Sequence, residues 1–169
     1  MSGRLSAGGA LDRFNTAPPG EAEQDLLACC ASSVWARRIA AGRPYADLPA
    51  VLTQADRATA ELSWPEVLAA LGAHPRIGER ASGSGPQAEW SRREQAGVGA
   101  ASGTALAEAN RAYEERFGHV FLVFASGRSD VELLAAARER LGNDEDTERA
   151  VVRHELGRIA RLRLERLLA

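Results

Sequence analysis

Val120-Phe121-Leu122-Val123-Phe124-Ala125 is the one stretch of this 169-residue sequence with the composition of a strand, and the fold class turns on how it is read. An unbroken run of branched and aromatic apolar residues suits extended backbone. A strand needs a partner to be stable, however, and no second candidate run occurs in the chain. The stretch therefore reads as a buried extended segment threading between helices, and the fold as all-α.

Outward from this segment the pattern is helical. Downstream, Ser129-Asp130-Val131-Glu132 has capping-box spacing and opens a helix to Leu141, ended by Gly142. The acidic residues in 143–146 then start a long amphipathic helix to Leu168. Upstream, 104–117 is a helix with Leu106, Ala109, Tyr113 and Phe117 on its apolar side, closed by Gly118. A small-residue break at 99–103 separates it from a helix over 87–98, and 81–86 is a short flexible loop. Ser63-Trp64-Pro65-Glu66 combines an N-cap serine, an early proline and a capping glutamate. The helix it opens is expected to end at a left-handed Gly72. Before it lie a helix over 47–62 and one over 21–41, which Ser32 and Ser33 are placed to divide. Leu26, Leu27, Cys30 and Val34 are its core-facing residues. Phe14-Asn15-Thr16-Ala17-Pro18-Pro19 reads as a turn. Residues 1–10 read as a flexible N-terminus, and 11–169 as one domain of about eight helices.

Composition narrows the function. A chain of this length buries a sizeable core without metal or disulfide support. With 21 basic and 23 acidic residues the net charge is -2, and nothing suggests a nucleic-acid partner. Every basic residue is arginine; in a chain rich in alanine and glycine this reads as codon bias, so each arginine is judged by position. No run approaches the ~20 apolar residues of a membrane span. The start lacks the pattern of an export signal, and the ending Arg166-Leu167-Leu168-Ala169 is not a peroxisomal address, which suits a bacterial cytoplasmic protein. Cys29 and Cys30 are adjacent, do not match zinc-site spacing, and read as buried structural thiols.

The chemistry-bearing residues lie in two segments and one helix. His74-Pro75-Arg76-Ile77-Gly78-Glu79-Arg80 follows a helix end, on backbone that Pro75 stiffens and Gly78 turns, so the imidazole is well placed for acid–base work. Ser91, Glu94 and Gln95 share a helix face and offer a hydroxyl, a carboxylate and an amide to a small polar substrate. The bland alternative is a capping histidine and a solvated glutamate. Arg163 falls on the same line as Val152, Leu156, Ile159 and Leu167, a core-facing position that demands a partner. A substrate carboxylate, Glu79, Glu94 and a helix C-terminus are all candidates.

These motifs together resemble the 2-oxo-4-hydroxy-4-carboxy-5-ureidoimidazoline (OHCU) decarboxylase family. The resemblance rests on Phe14-Asn15, Leu27-xx-Cys30-xx-Ser33-x-Trp35, Arg43-Pro44-Tyr45, His74-Pro75-Arg76-Ile77-Gly78, Ser91-xx-Glu94-Gln95-xx-Val98, Phe117-Gly118-xx-Phe121 through Ala125, and Ile159-xx-Leu162-Arg163-Leu164, in family order across about residues 11–168. It implies a cofactor-free, metal-free, all-helical homodimeric enzyme of urate breakdown that converts OHCU to (S)-allantoin. It makes His74 the proton donor and Glu94 its catalytic companion. Pro75, Ser91, Glu94, Gln95, the segment Phe121, Leu122, Val123, Phe124 and Ala125, and Arg163 become substrate-binding, with the choice between Arg161 and Arg163 left open. Arg76, Glu79 and Arg80 receive no role. Two other classes compete: a non-enzymatic helical interaction module, and a metal-dependent helical hydrolase using His74, Glu79 and Glu94. The latter lacks metal-ligand spacing among only three histidines, and His119 and His154 read as structural.

Overall fold

The computed structural model describes residues 8–79, 85–97 and 103–169, and the regular structure among these is entirely helical. Nine helices are present among the described residues: α1 (Gly8–Thr16), α2 (Pro19–Cys29), α3 (Ser33–Ala41), α4 (Leu48–Ala60), α5 (Trp64–Leu71), α6 (Pro86–Glu94), α7 (Gly103–Phe117), α8 (Asp130–Arg140) and α9 (Glu145–Leu168). The 24-residue α9 is the spine, about 36 Å long, against which α1, α2 and α4 pack. Where α9 faces α4, a Cβ on Gly157 would meet the Thr59 side chain at 3.4 Å. Thr59 also accepts a hydrogen bond from the indole of the fully buried Trp35 at 3.1 Å, so α3, α4 and α9 meet around one threonine.

Several sequence expectations change here. Phe14–Thr16 is not a turn but the last part of α1, and Pro19 opens α2; proline is well suited to a first helical turn, and the pair marks a helix start. This raises the helix number from about eight to nine. Ser32 does divide the next helix, its hydroxyl accepting from the Trp35 amide. The break resets the helical phase, which turns Val34 outward at 37% exposure and gives the core Trp35 and Ile39 instead. Gly72 stays right-handed at φ −59°, and the chain continues through one more turn to His74. α6 stops at Glu94 rather than reaching 98, and beyond it Gly97 passes so close to the Arg128 carbonyl that a Cβ there would lie 2.6 Å from it. Of the segments read as flexible or as breaks, 1–7, 81–84 and 99–102 lie outside the described residues, as do Arg80 and the motif residue Val98, while Gly8, Pro86 and Gly103 already begin helices.

Motif residues away from the site are explained by a corner of the bundle. The Asn15 amide donates to the Tyr45 carbonyl at 2.9 Å and accepts from the Tyr45 amide at 2.8 Å. Arg43 donates to the carbonyls of Phe14, Ala17 and Ala40, which ties the end of α1 to the end of α3.

The 120–125 segment is extended without being a strand. Leu122 packs into the core of α1–α6 and α9, whereas Phe121, Val123 and Ala125 join a second core with Leu106, Tyr113, Leu133 and Ala137. This two-sided burial is what period-2 backbone between two helical layers produces. Buried carbonyls still need donors, and Arg140 supplies one: its Nη1 donates to the Leu122 oxygen at 2.6 Å while its guanidinium lies 4.6 Å over the Phe121 ring. Glu148, 1% exposed, balances that charge and also accepts from Tyr113 Oη at 2.6 Å and Asn143 Nδ2 at 3.0 Å.

Removing Glu148 leaves Arg140 charged and buried without a counter-ion, which costs about 3–5 kcal/mol. Urea denaturation of Glu148→Ala is expected to show a loss of that size; a loss below about 1 kcal/mol would mean the segment does not rely on this pair.

Candidate active site

The local sequence delivers His74 by a defined route. Ser63 and Glu66 close a capping box at the start of α5, the Ser63 amide donating to Glu66 at 2.7 Å. The loop beyond the helix is then tied at four points. The Ala73 carbonyl accepts from Gln87 Nε2 at 2.9 Å, and the Ile77 carbonyl from Asn110 Nδ2 at 2.7 Å. The Gly78 amide donates to Gln95 Oε1 at 3.0 Å, and Arg76 forms a forked pair with Glu114 of α7 at 2.6 and 3.2 Å. Gly78 has φ +94°, and a Cβ would press on Leu106 at 3.3 Å, so this turn requires glycine.

Gln87, Ser91 and Gln95 recur every four residues along α6, and the row faces the loop at its two ends and Arg163 at its middle. Arg163 is 1% exposed. Its Nε and Nη2 grip the two Glu94 oxygens at 2.9 and 3.0 Å, and Nη2 also reaches Ser91 Oγ at 3.4 Å. Of the partners open to Arg163 from sequence, Glu94 is the one it takes. Arg161 lies elsewhere, exposed and paired with Asp56 at 2.8 Å.

An open cavity of about 680 Å³ lies between α2, the His74 loop and α6, with Leu27, His74, Pro75, Gln87 and Ser91 on its wall. A second, of about 690 Å³, has His74 and Pro75 on its wall together with Leu68, Glu114, His119 and Val120. His74 therefore stands between the two. Among the described residues no side chain is hydrogen-bonded to its ring. Burial, then the positive field of Arg163, push His74 from 6.5 down to about 3, so the imidazole is neutral at pH 7. The same arginine opposes the rise of the Cys29 and Cys30 thiols, yet burial prevails and takes both to about 12.

The site residues expected from sequence divide into three groups. His74, Pro75 and Ser91 share the first cavity. Glu94, Gln95 and Arg163 sit behind it, engaged with one another or with the loop. Phe121, Leu122, Val123, Phe124 and Ala125 are packed in the two cores, and neither cavity includes them, although the adjoining Val120 borders the second. His119 packs edge-on to Trp64 and Tyr113, and His154 is exposed. Among the described residues no group of three or more His, Cys, Asp or Glu is placed to hold a metal ion, and no helix is long and apolar enough to cross a membrane. Gln87 was not singled out by sequence, although its place one turn before Ser91 was a usable signal.

An all-helical bundle with a histidine after a capped helix and a Ser-Glu-Gln face backed by a buried arginine defines its class by comparison with known proteins. The OHCU decarboxylase family profile matches residues 15–165, and the chain belongs to that family. It is 30% identical over 154 residues to the "Uric acid degradation bifunctional protein TTL" of Arabidopsis thaliana, covering 87% of this chain but 47% of the plant protein, so the chain spans about half of that relative's length. It is 29% identical over 134 residues to the 2-oxo-4-hydroxy-4-carboxy-5-ureidoimidazoline decarboxylase of Haloferax volcanii, covering 78% of this chain and 80% of that one. A crystal structure of OHCU decarboxylase in the presence of (S)-allantoin superposes with a TM-score of 0.73 at 29% identity, covering 84% of this chain and 95% of that chain. A crystal structure of (S)-allantoin synthase shares the fold, with a TM-score of 0.68 at 17% identity over 93% of this chain and 53% of that one.

The low His74 value has a stability consequence. The unfolded chain takes up a proton near pH 6.5 and the folded protein resists it until about pH 3, so stability is lost as pH falls below 6.5. From pH 7 to pH 5 the loss assigned to this group is about 2 kcal/mol. Urea titrations at both pH values should show a His74→Ala variant losing correspondingly less than the parent; parallel losses would contradict a buried neutral imidazole.

Proposed function

We propose that this chain decarboxylates OHCU to (S)-allantoin in urate breakdown, without a cofactor, and that His74 moves the proton. The observation that carries the reading is the neutral His74 imidazole on the wall of an open cavity, in a chain that belongs to the OHCU decarboxylase family. The substrate carries its carboxylate beside a C=N unit. Breaking the bond to CO2 sends an electron pair into the ring, and the electron sink is the substrate itself. The ring nitrogen that receives the pair takes up a proton from solvent, which balances the charge lost with the carboxylate; the 4-hydroxyl must lose a proton, and the neighbouring ring carbon must gain one on a single face.

With the imidazole neutral, we take the order in which His74 acts first as base: it accepts the 4-hydroxyl proton and then, as imidazolium, delivers it to the ring carbon. Pro75 and Ser91 meet the substrate beside His74. Glu94 and Gln95 aim the ureido group, with Arg163 orienting the Glu94 carboxylate through its two hydrogen bonds. The 121–125 segment, packed in the two cores, supports the site from behind through the adjoining Val120 on the wall of the second cavity. The resemblance that supports this reading also supports a homodimer, and the arginine-only basic composition supports a bacterial cytoplasmic enzyme.

The direct test adds the protein to urate oxidase and hydroxyisourate hydrolase acting on urate, and follows allantoin by circular dichroism. The (S) enantiomer should accumulate faster than spontaneous decay produces racemate; racemic product at the uncatalysed rate would reject the activity. His74→Ala should fold and lose about 10²-fold or more of kcat. Near-normal turnover in that variant would remove His74 from the mechanism. Glu94→Gln removes the counter-ion of the buried Arg163 as well as the carboxylate, so it is expected to lower stability to urea and to raise KM; unchanged kinetics would remove Glu94 from substrate recognition.

A further inference from the structure

The His74 ring has no orienting side-chain partner among the described residues, unlike a histidine aimed by a neighbouring carboxylate. Its direction is therefore set by its backbone. The peptide plane entering His74 has two hydrogen-bonding groups, and both are engaged. The Ala73 oxygen accepts from Gln87 Nε2 at 2.9 Å, and the His74 amide donates to the Leu71 carbonyl at 3.0 Å. On the far side Pro75 restricts His74 to extended backbone. The plane cannot rotate without giving up a bond, and the bond made by a side chain is the one from Gln87.

Gln87 is also suitably placed. It belongs to the first two residues of α6, on the row that continues through Ser91 to Gln95, and α6 is fixed to α9 by the Arg163–Glu94 pair. Of the two glutamine ties from this row to the loop, the one from Gln87 is the one that reaches the peptide plane of His74 itself.

We propose that Gln87 is a positioning residue for His74, which holds the Ala73–His74 peptide plane so that the imidazole is aimed into the cavity. The proposal rests on the reading of His74 as the proton-moving group. It makes Gln87 act on turnover and not on substrate affinity, even though the residue also lines the cavity.

The test uses Gln87→Met, which keeps length without a donor, and Gln87→Glu, which keeps shape but presents an acceptor to a carbonyl. Losing one such hydrogen bond should lower kcat on OHCU about tenfold, with KM within about twofold. In the ligand-free protein the imidazole NMR correlations of His74 should shift or broaden while those of His119 and His154 stay in place. A rise in KM with kcat intact would make Gln87 a substrate contact and overturn the proposal. Unmoved His74 signals, or equal movement at all three histidines, would overturn it as well. If the unaltered protein turned over no OHCU, the proposed function would fall, while the ring signals would still decide whether Gln87 positions His74.

Discussion

A guanidinium 1% exposed to solvent is tolerable only if its charge is matched in place, and the Arg163–Glu94 pair is the constraint on which the site is built. Two parallel hydrogen bonds give that match direction as well as charge, because the planar fork accepts a carboxylate in few orientations. The helix carrying Glu94 is thus held at one distance and one rotation against α9. Everything α6 touches inherits this placement, including both glutamine ties to the His74 loop. The same charge also acts at a distance, opposing protonation of His74 and favouring ionisation of the two buried thiols. Arg163 thus fixes position in the site and adds to burial in keeping His74 neutral.

The second core repeats the device for a different purpose. Arg140 and Glu148 are again a buried arginine–glutamate pair, but here the spare donor of the guanidinium goes to a backbone carbonyl. An extended segment inside a helical protein has no neighbouring strand to take its polar groups. A side chain with five donors and a flat face that rests on Phe121 replaces part of that neighbour. In each case the ion pair orders irregular backbone that helix packing alone would leave undetermined.

The helices were readable because their ends carry local chemistry: the Ser63 and Ser129 caps act within their own turn, and Asp47 and Asp144 do the same at α4 and α9. The all-α class was readable from the solitary apolar run at 120–125. Arg163 could be flagged as buried from its position on an apolar line, yet its partner lies 69 residues away, and three competing partners were equivalent on paper. The Arg140–Glu148 pair gave no such warning, since an arginine near one helix end and a glutamate near the next helix start look like ordinary dipole complements. Gln87 shares the face of Ser91 one turn on, but its partner is a backbone oxygen, which residue identity does not name. Val34 and Gly72 were misjudged through helix phase and helix continuation, both decided by packing beyond the local window.

Cys29 and Cys30 follow a different logic. With thiols at about 12, roughly one molecule in 10⁵ carries a thiolate at pH 7, so electrophiles and oxidants meet almost no nucleophile in the folded chain. Unfolding restores an ordinary thiol and increases its reactivity by orders of magnitude. The adjacent cysteines thus form an internal reporter on the interior beside Arg163, silent while the α2 end stays packed and chemically visible once water enters.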